Sequence, residues 1–309
     1  MASRLFALLG LLLVAVATCR AQAPATEIDR LTTAAQVQQF MRTMNTDYTD
    51  YRAFILTDSL DSECAAHLSC DPLRNQQSWL KADFDGNGRT DLVVIGYESA
   101  HKWGQLITCF LDSGKQVMHE EKLSGYNNYC AQLQICYLQR RPAIRYTHVV
   151  IPRERFEKNP KPVCQIDTLI FDKKHFVEYN HSPKDYAIKK VEFSTTGCYG
   201  ICPVFNLQVN YDGAATYRAE EYSKKEGTFT GIIAPQALKE LWASLNYLGF
   251  PTLRNNYAIS VTDHPTCTLT ITYGTEQVKI IRDYGEQGTF GLQQVYQLLC
   301  ALRETQAWR

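Results

Sequence analysis

The sequence predicts an α+β protein: an N-terminal helix leading into a β-rich, antiparallel domain, then a small antiparallel sheet with two helices on one face. Three observations predict it. Between Glu27 and Thr46, Ile28, Leu31, Ala35, Val37, Phe40, Met41 and Met44 recur at helical spacing. From Asp91 to Asn180 the apolar period falls to two, the signature of half-buried strands. Beyond Pro183 the blocks run strands, helix, strands, helix, the order of an antiparallel sheet covered on one side.

The chain starts Met1-Ala2-Ser3-Arg4, followed by an apolar run from Leu5 to Ala17 and small residues beyond it. This is the pattern of a signal peptide, and the run is short for a membrane span. Cleavage after Ala21 leaves residues 22–309; the alternative is a lipoprotein with Cys19 lipidated, for which Thr18 is a poor neighbour. No later stretch reaches spanning length, so no transmembrane segment is expected in the mature chain. The remainder divides at Pro183-Lys184-Asp185 into a β-rich domain, 22–185, and an α+β domain, 186–309. The 309-residue chain carries 32 basic and 32 acidic residues. That balance gives no electrostatic footprint for nucleic acid or an anionic membrane.

After the N-terminal helix, Asp61 to Pro72 reads as a loop. Next comes Asp83-Phe84-Asp85-Gly86-Asn87-Gly88-Arg89-Thr90-Asp91, followed at once by the apolar run Leu92-Val93-Val94-Ile95. Oxygen-bearing side chains fall at loop positions 1, 3, 5 and 9, a backbone carbonyl from Arg89 at position 7, and glycine at position 6. This is the ligand spacing of an EF-hand-like calcium loop, with Gly88 at the sharp turn. Position 12 is Val94 where an EF-hand has glutamate, so the exit is a strand. The expected metal ligands are Asp83, Asp85, Asn87, Arg89 and Asp91, for a structural Ca²⁺. The alternative is an Asx/Gly turn that holds no metal.

Strands are expected at 91–97, 106–112, 116–123, 131–138, 143–151, 165–171 and 176–180, with hairpin turns at Ser113-Gly114-Lys115 and Asp172-Lys173-Lys174. In the second half, strands are expected at 188–194, 204–209, 215–222, 227–233, 266–273 and 277–283. Pro235 opens a helix carrying Leu238, Leu241, Trp242 and Leu245. A last helix, 290–304, turns Leu292, Val295, Leu299 and Leu302 inward.

Of the 11 cysteines, ten lie after Cys19. An even number in an exported chain favours disulfides. Close pairs are Cys64/Cys70, Cys130/Cys136 and Cys198/Cys202; the others can be joined as Cys109 with Cys164 and Cys267 with Cys300, though sequence does not fix connectivity. No Cys-x-x-Cys pair suggests zinc. Cys198 and Cys202 also admit a thiol-dependent reading, redox or a hydrolase using Asp263 and His264, but neither a thioredoxin-type spacing nor a nucleophile motif surrounds them.

Two resemblances follow. The segment Lys81 to Val94 resembles the FG-GAP or VCBS repeat of extracellular proteins, in which the same loop binds calcium between strands; here it occurs once. The combination Ser194-x-x-Gly197-Cys198-Tyr199-Gly200-x-Cys202-Pro203, Tyr257, Thr262-Asp263-x-Pro265 and Asp283-Tyr284 resembles an exported bacterial family of unknown function, and that resemblance implies a domain but no activity. The expectation is an exported, disulfide-bonded calcium-binding protein without catalysis, in contact with an extracellular or envelope protein or a glycan.

Overall fold

The computed structural model describes residues 26–46, 49–57, 77–98, 101–114, 118–123, 129–150, 163–259 and 261–309. The leader, Cys19, Cys64, Cys70 and the Asp61 to Pro72 loop lie outside these. The expected α+β class is overturned: the described residues are mostly sheet, with four short helices. Helices α1 (Glu27–Arg30), α2 (Ala34–Thr43), α3 (Pro235–Leu248) and α4 (Phe290–Thr305) each lie against a sheet face.

The expected single N-terminal helix is two. Thr26 and Asp29 form one capping box and Thr33 and Gln36 a second, so the chain stops and restarts at Leu31-Thr32-Thr33. Lys81 fastens this start to the sheet, its Nζ donating to the carbonyls of Ile28, Asp29 and Leu31 at 2.8–3.2 Å. After short strands β1 (Asn45–Thr46) and β2 (Thr49–Asp50), a first sheet runs β3 (Phe54–Leu56), β5 (Asp91–Glu98), β6 (His101–Asp112), β7 (Met118–Lys122), with β4 (Trp79–Ala82) also on β5. A second sheet runs β11 (His175–Glu178), β10 (Val163–Asp172), β9 (Arg141–Val150), β8 (Tyr129–Leu138).

The two sheets share one core. Val93, Ile95, Ile107 and Leu111 meet Leu133, Ile144, Leu169 and Phe176. On the other face of β5, Leu92 and Val94 pack with Phe40, Met41 and Phe54 beneath α2. β5 is thus buried on both faces, which is why its sequence is an unbroken apolar run.

The third sheet has seven strands: β15 (Gly227–Ile232), β14 (Ala214–Ala219), β13 (Phe205–Asn210), β12 (Ile188–Thr195), β17 (Thr266–Tyr273), β18 (Gln277–Tyr284) and β16 (Asn256–Ala258). All neighbours are antiparallel except β16 on β18. Val191, Phe193, Leu207, Leu269 and Ile281 face Leu241, Leu245, Leu292, Val295 and Leu299 of α3 and α4. The second sheet meets this half through Glu178, whose carboxylate accepts the N–H groups of Phe290 and Gly291 at 2.7 and 2.9 Å. Phe290 also sits edge-on to Tyr146, at 5.8 Å.

Candidate metal centre

The register pairs Ala82 of β4 with Asp91 of β5, so residues 83–90 form the turn between them. Phe84 is fully buried and lies 5.8 Å from Phe176 in the sandwich core, which pins the turn from inside. Gly88 has φ +84°, a left-handed conformation that glycine adopts without a Cβ clash. Its N–H donates to Asp83 Oδ2 at 2.9 Å.

Asp83, Asp85 and Asp91 each place one carboxylate oxygen within 4.8 Å of the other two. Asp91 is fully buried; its oxygens accept N–H groups from Phe84 and Asp112 at 2.8 and 2.9 Å. Burial pushes its carboxyl up to about 7, against the pull of those two N–H groups, and the neighbouring Asp85 charge adds to the rise. Asp85 is also raised, first by burial, with the Asn87 N–H opposing and the Asp83 charge adding. Asp83 Oδ1 is shielded from solvent and has no hydrogen-bond partner. The donors to these carboxylates are backbone N–H groups and the Asn87 amide.

The other two expected ligands sit one step back. Asn87 Oδ1 accepts from Arg89 N at 2.8 Å, and its Nδ2 donates to Asp85 Oδ2 and to the Asp112 carbonyl, both at 2.9 Å. The Arg89 guanidinium is ion-paired with Asp112 at 2.8 Å. Sequence reasoning missed Asp112, a buried residue that braces the turn through its N–H, its carbonyl and its carboxylate. Burial works against the Asp112 charge, but the Arg89 hydrogen bond, the Gly114 N–H and the Arg89 charge outweigh it and hold the carboxyl below the usual range. Its one sequence signal was its place at the start of the Ser113-Gly114 turn.

A lone buried carboxylate tolerates backbone donors; three carboxylates crowded together with an orphaned oxygen favour protonation or a cation. The donor set is all oxygen, which suits a hard cation such as Ca²⁺ and not a soft one. These residues fit the expected ion.

In the other half, the singled-out motifs gather at one end of the seven-stranded sheet. Cys198 and Cys202 are joined by a disulfide, with Cα atoms 5.7 Å apart. Tyr199 N donates to Asp263 O at 3.1 Å, His264 N to Tyr284 Oη at 3.2 Å, and Gly285 N to Pro265 O at 2.9 Å. Asp283 is fully buried and closes the following loop, accepting from Gln287 N and Gly288 N at 2.6 and 2.8 Å. Burial, partly offset by those N–H groups, raises its carboxyl to about 6. The chain after Cys202 enters β13, a strand, where a thioredoxin-type site would open a helix.

Three expected disulfides need correction. Cys109, Cys136, Cys267 and Cys300 form no disulfide. Cys130 and Cys136 lie on one strand, β8, where six residues span roughly 20 Å, too far for a bridge. Cys109 is buried in the sandwich core, while Cys164 is disulfide-bonded, though not to Cys109. Cys267 and Cys300 pack in one apolar cluster as thiols, and burial pushes both up, Cys300 to about 11.

With this geometry in place, residues 189–303 match the model of a family described as a domain of unknown function (DUF6438). The DUF6438 segment takes in β13 to β18, most of β12, α3 and nearly all of α4, including every motif gathered at the sheet end. The acidic turn lies outside it. No curated protein and no solved structure matches the chain.

Proposed function

We propose that this chain is an exported, calcium-binding protein that acts as a non-enzymatic binding module, with the ion fixing the β4–β5 turn. One observation carries the reading: three carboxylate oxygens lie within 4.8 Å of one another, and the shielded Asp83 Oδ1 has no partner. Calcium takes six to eight oxygens at about 2.3–2.6 Å. Asp83, Asp85 and Asp91 would supply the charge, with Asn87, the Arg89 carbonyl and water completing the set. The ion would offset the mutual repulsion that burial imposes on these groups. The likeness of Lys81 to Val94 to FG-GAP and VCBS loops supports the same ion.

Export, to the periplasm or outside the cell, is supported by the leader pattern and by the Cys198–Cys202 bridge. Among the described residues no helix is long and apolar enough to cross a membrane. The partner would be an extracellular or envelope protein or a glycan. Isothermal titration of chelator-treated protein tests the metal. One equivalent of Ca²⁺ should bind, and Asp85→Ala should abolish the heat. No heat and an unchanged melting temperature in millimolar Ca²⁺ would reject the proposal.

A further inference from the structure

Among the described residues, the two most exposed large apolar side chains are Tyr199 and Ile201, at 90 % and 82 %. A single exposed apolar residue needs no explanation. Here both sit in one short loop closed by the Cys198–Cys202 bridge. Val261, also exposed, lies two residues before Asp263, which holds that loop.

The backbone beneath them is locked. Gly200 N donates to the Cys198 carbonyl at 2.9 Å, a three-residue turn with Tyr199 at its apex. Tyr199 N donates to the Asp263 carbonyl at 3.1 Å. At the base, Thr195 Oγ1 donates to Pro203 O at 2.6 Å and Thr196 N to Thr266 O at 3.1 Å. Rigidity of this kind lowers the entropy lost on association. Tyrosine adds a large contact face with only two side-chain torsions.

Shape and charge select the partner. Side chains this exposed stand out from the surface and are taken out of water only by a pocket on the other molecule, which a small ligand or a glycan does not offer. The surroundings are acidic. Asp263, Glu221 and Glu286 are exposed and have no ion-pair partner. The Glu221 carbonyl accepts from Val204 N just past the bridge, and Glu286 lies beside Cys267 at the same sheet end. Glu220 is held by Arg218, and Arg282 lies two register pairs in from that end. A second copy would set like charges against each other, and an anionic membrane would be repelled; a basic rim is complementary.

We propose that the Cys198–Cys202 loop is a preformed docking knob, and that its partner is a protein whose apolar pocket takes Tyr199 and Ile201 within a rim of lysine or arginine. This rests on the reading of the chain as a non-enzymatic binding module and selects a protein over a glycan; it does not rest on the calcium turn. A phage-displayed library of random peptides is panned on the full, oxidised chain, and recovered peptides are synthesised and titrated by fluorescence anisotropy with Ca²⁺ and after chelation. They should carry Lys or Arg beside an apolar core and bind equally in both conditions. Tyr199→Ser and Ile201→Ser, both at exposed positions, should each weaken binding about tenfold or more. Reducing the bridge should weaken it about three- to tenfold. Glu221→Gln with Glu286→Gln should weaken it and lessen its dependence on salt. Recovery of no peptide, dominance of acidic sequences, or binding unchanged in Tyr199→Ser overturns the proposal. So does self-association, or binding to phosphatidylcholine vesicles, that Tyr199→Ser abolishes, because the knob then serves a second copy or a membrane. Peptide binding in a chain that takes up no Ca²⁺ supports the knob and rejects the metal reading alone.

Discussion

Asp91 and Asp283 form an instructive pair. Both are fully buried, both accept two backbone N–H groups, and burial raises both carboxyls, to about 7 and about 6. They differ in company. Asp283 closes a tight loop, each of its oxygens taking one backbone N–H group, from Gln287 and Gly288. Asp91 shares its space with Asp85 and with an Asp83 oxygen that nothing satisfies. A buried carboxylate whose oxygens the backbone takes up braces a loop; carboxylates crowded around an unmet oxygen are what the proposed cation would relieve.

The largest effect that separates the two should come from removing each. Asp283→Ala strands the Gln287 and Gly288 N–H groups and should cost about 2–4 kcal/mol in denaturant unfolding, equally with and without Ca²⁺. Asp85→Ala should cost little in chelated protein, because it relieves repulsion, and should abolish the response to the ion. In the unmodified protein, Ca²⁺ at about a hundredfold over its dissociation constant should add about 2.7 kcal/mol, a rise in melting temperature of about 5 °C or more.

A smaller effect is the pH dependence of the metal-free protein. The Asp91 carboxyl is higher in the folded chain than in the unfolded one, so between roughly pH 4 and 7 the folded state holds the extra proton. Stability of chelated protein should therefore fall as pH rises through that window, and saturating Ca²⁺ should flatten the slope. Urea midpoints at three pH values measure it. Asp283→Ala should leave the Ca²⁺-dependent part of the slope intact. Smallest is reduction of Cys198–Cys202, which closes so short a loop that about 2 kcal/mol or less should be lost.

Much of this contrast was legible in the residues, and the rest was not for identifiable reasons. The turn could be read because its ligands are local, spaced by one loop, and because β5 announces itself by burial on both faces. Asp112 was invisible because it reaches Asp91 from 21 residues away across a strand pair. Apolar spacing from Glu27 to Thr46 survives the break and so conceals it; the Thr33-x-x-Gln36 box, where the second helix starts, is its local signal. The fold class failed because helical periodicity says where a helix lies, not how little of the chain helices make up beside the sheets. Disulfide pairing failed where proximity in sequence is undone by an extended strand, as between Cys130 and Cys136.

The most direct measurement is anomalous diffraction from crystals grown with Ca²⁺. A single peak about 2.3–2.6 Å from Asp83 Oδ1 and from oxygens of Asp85 and Asp91 is expected. Density showing those carboxylates hydrogen-bonded to one another or turned to solvent around no ion, in millimolar Ca²⁺, would contradict the account.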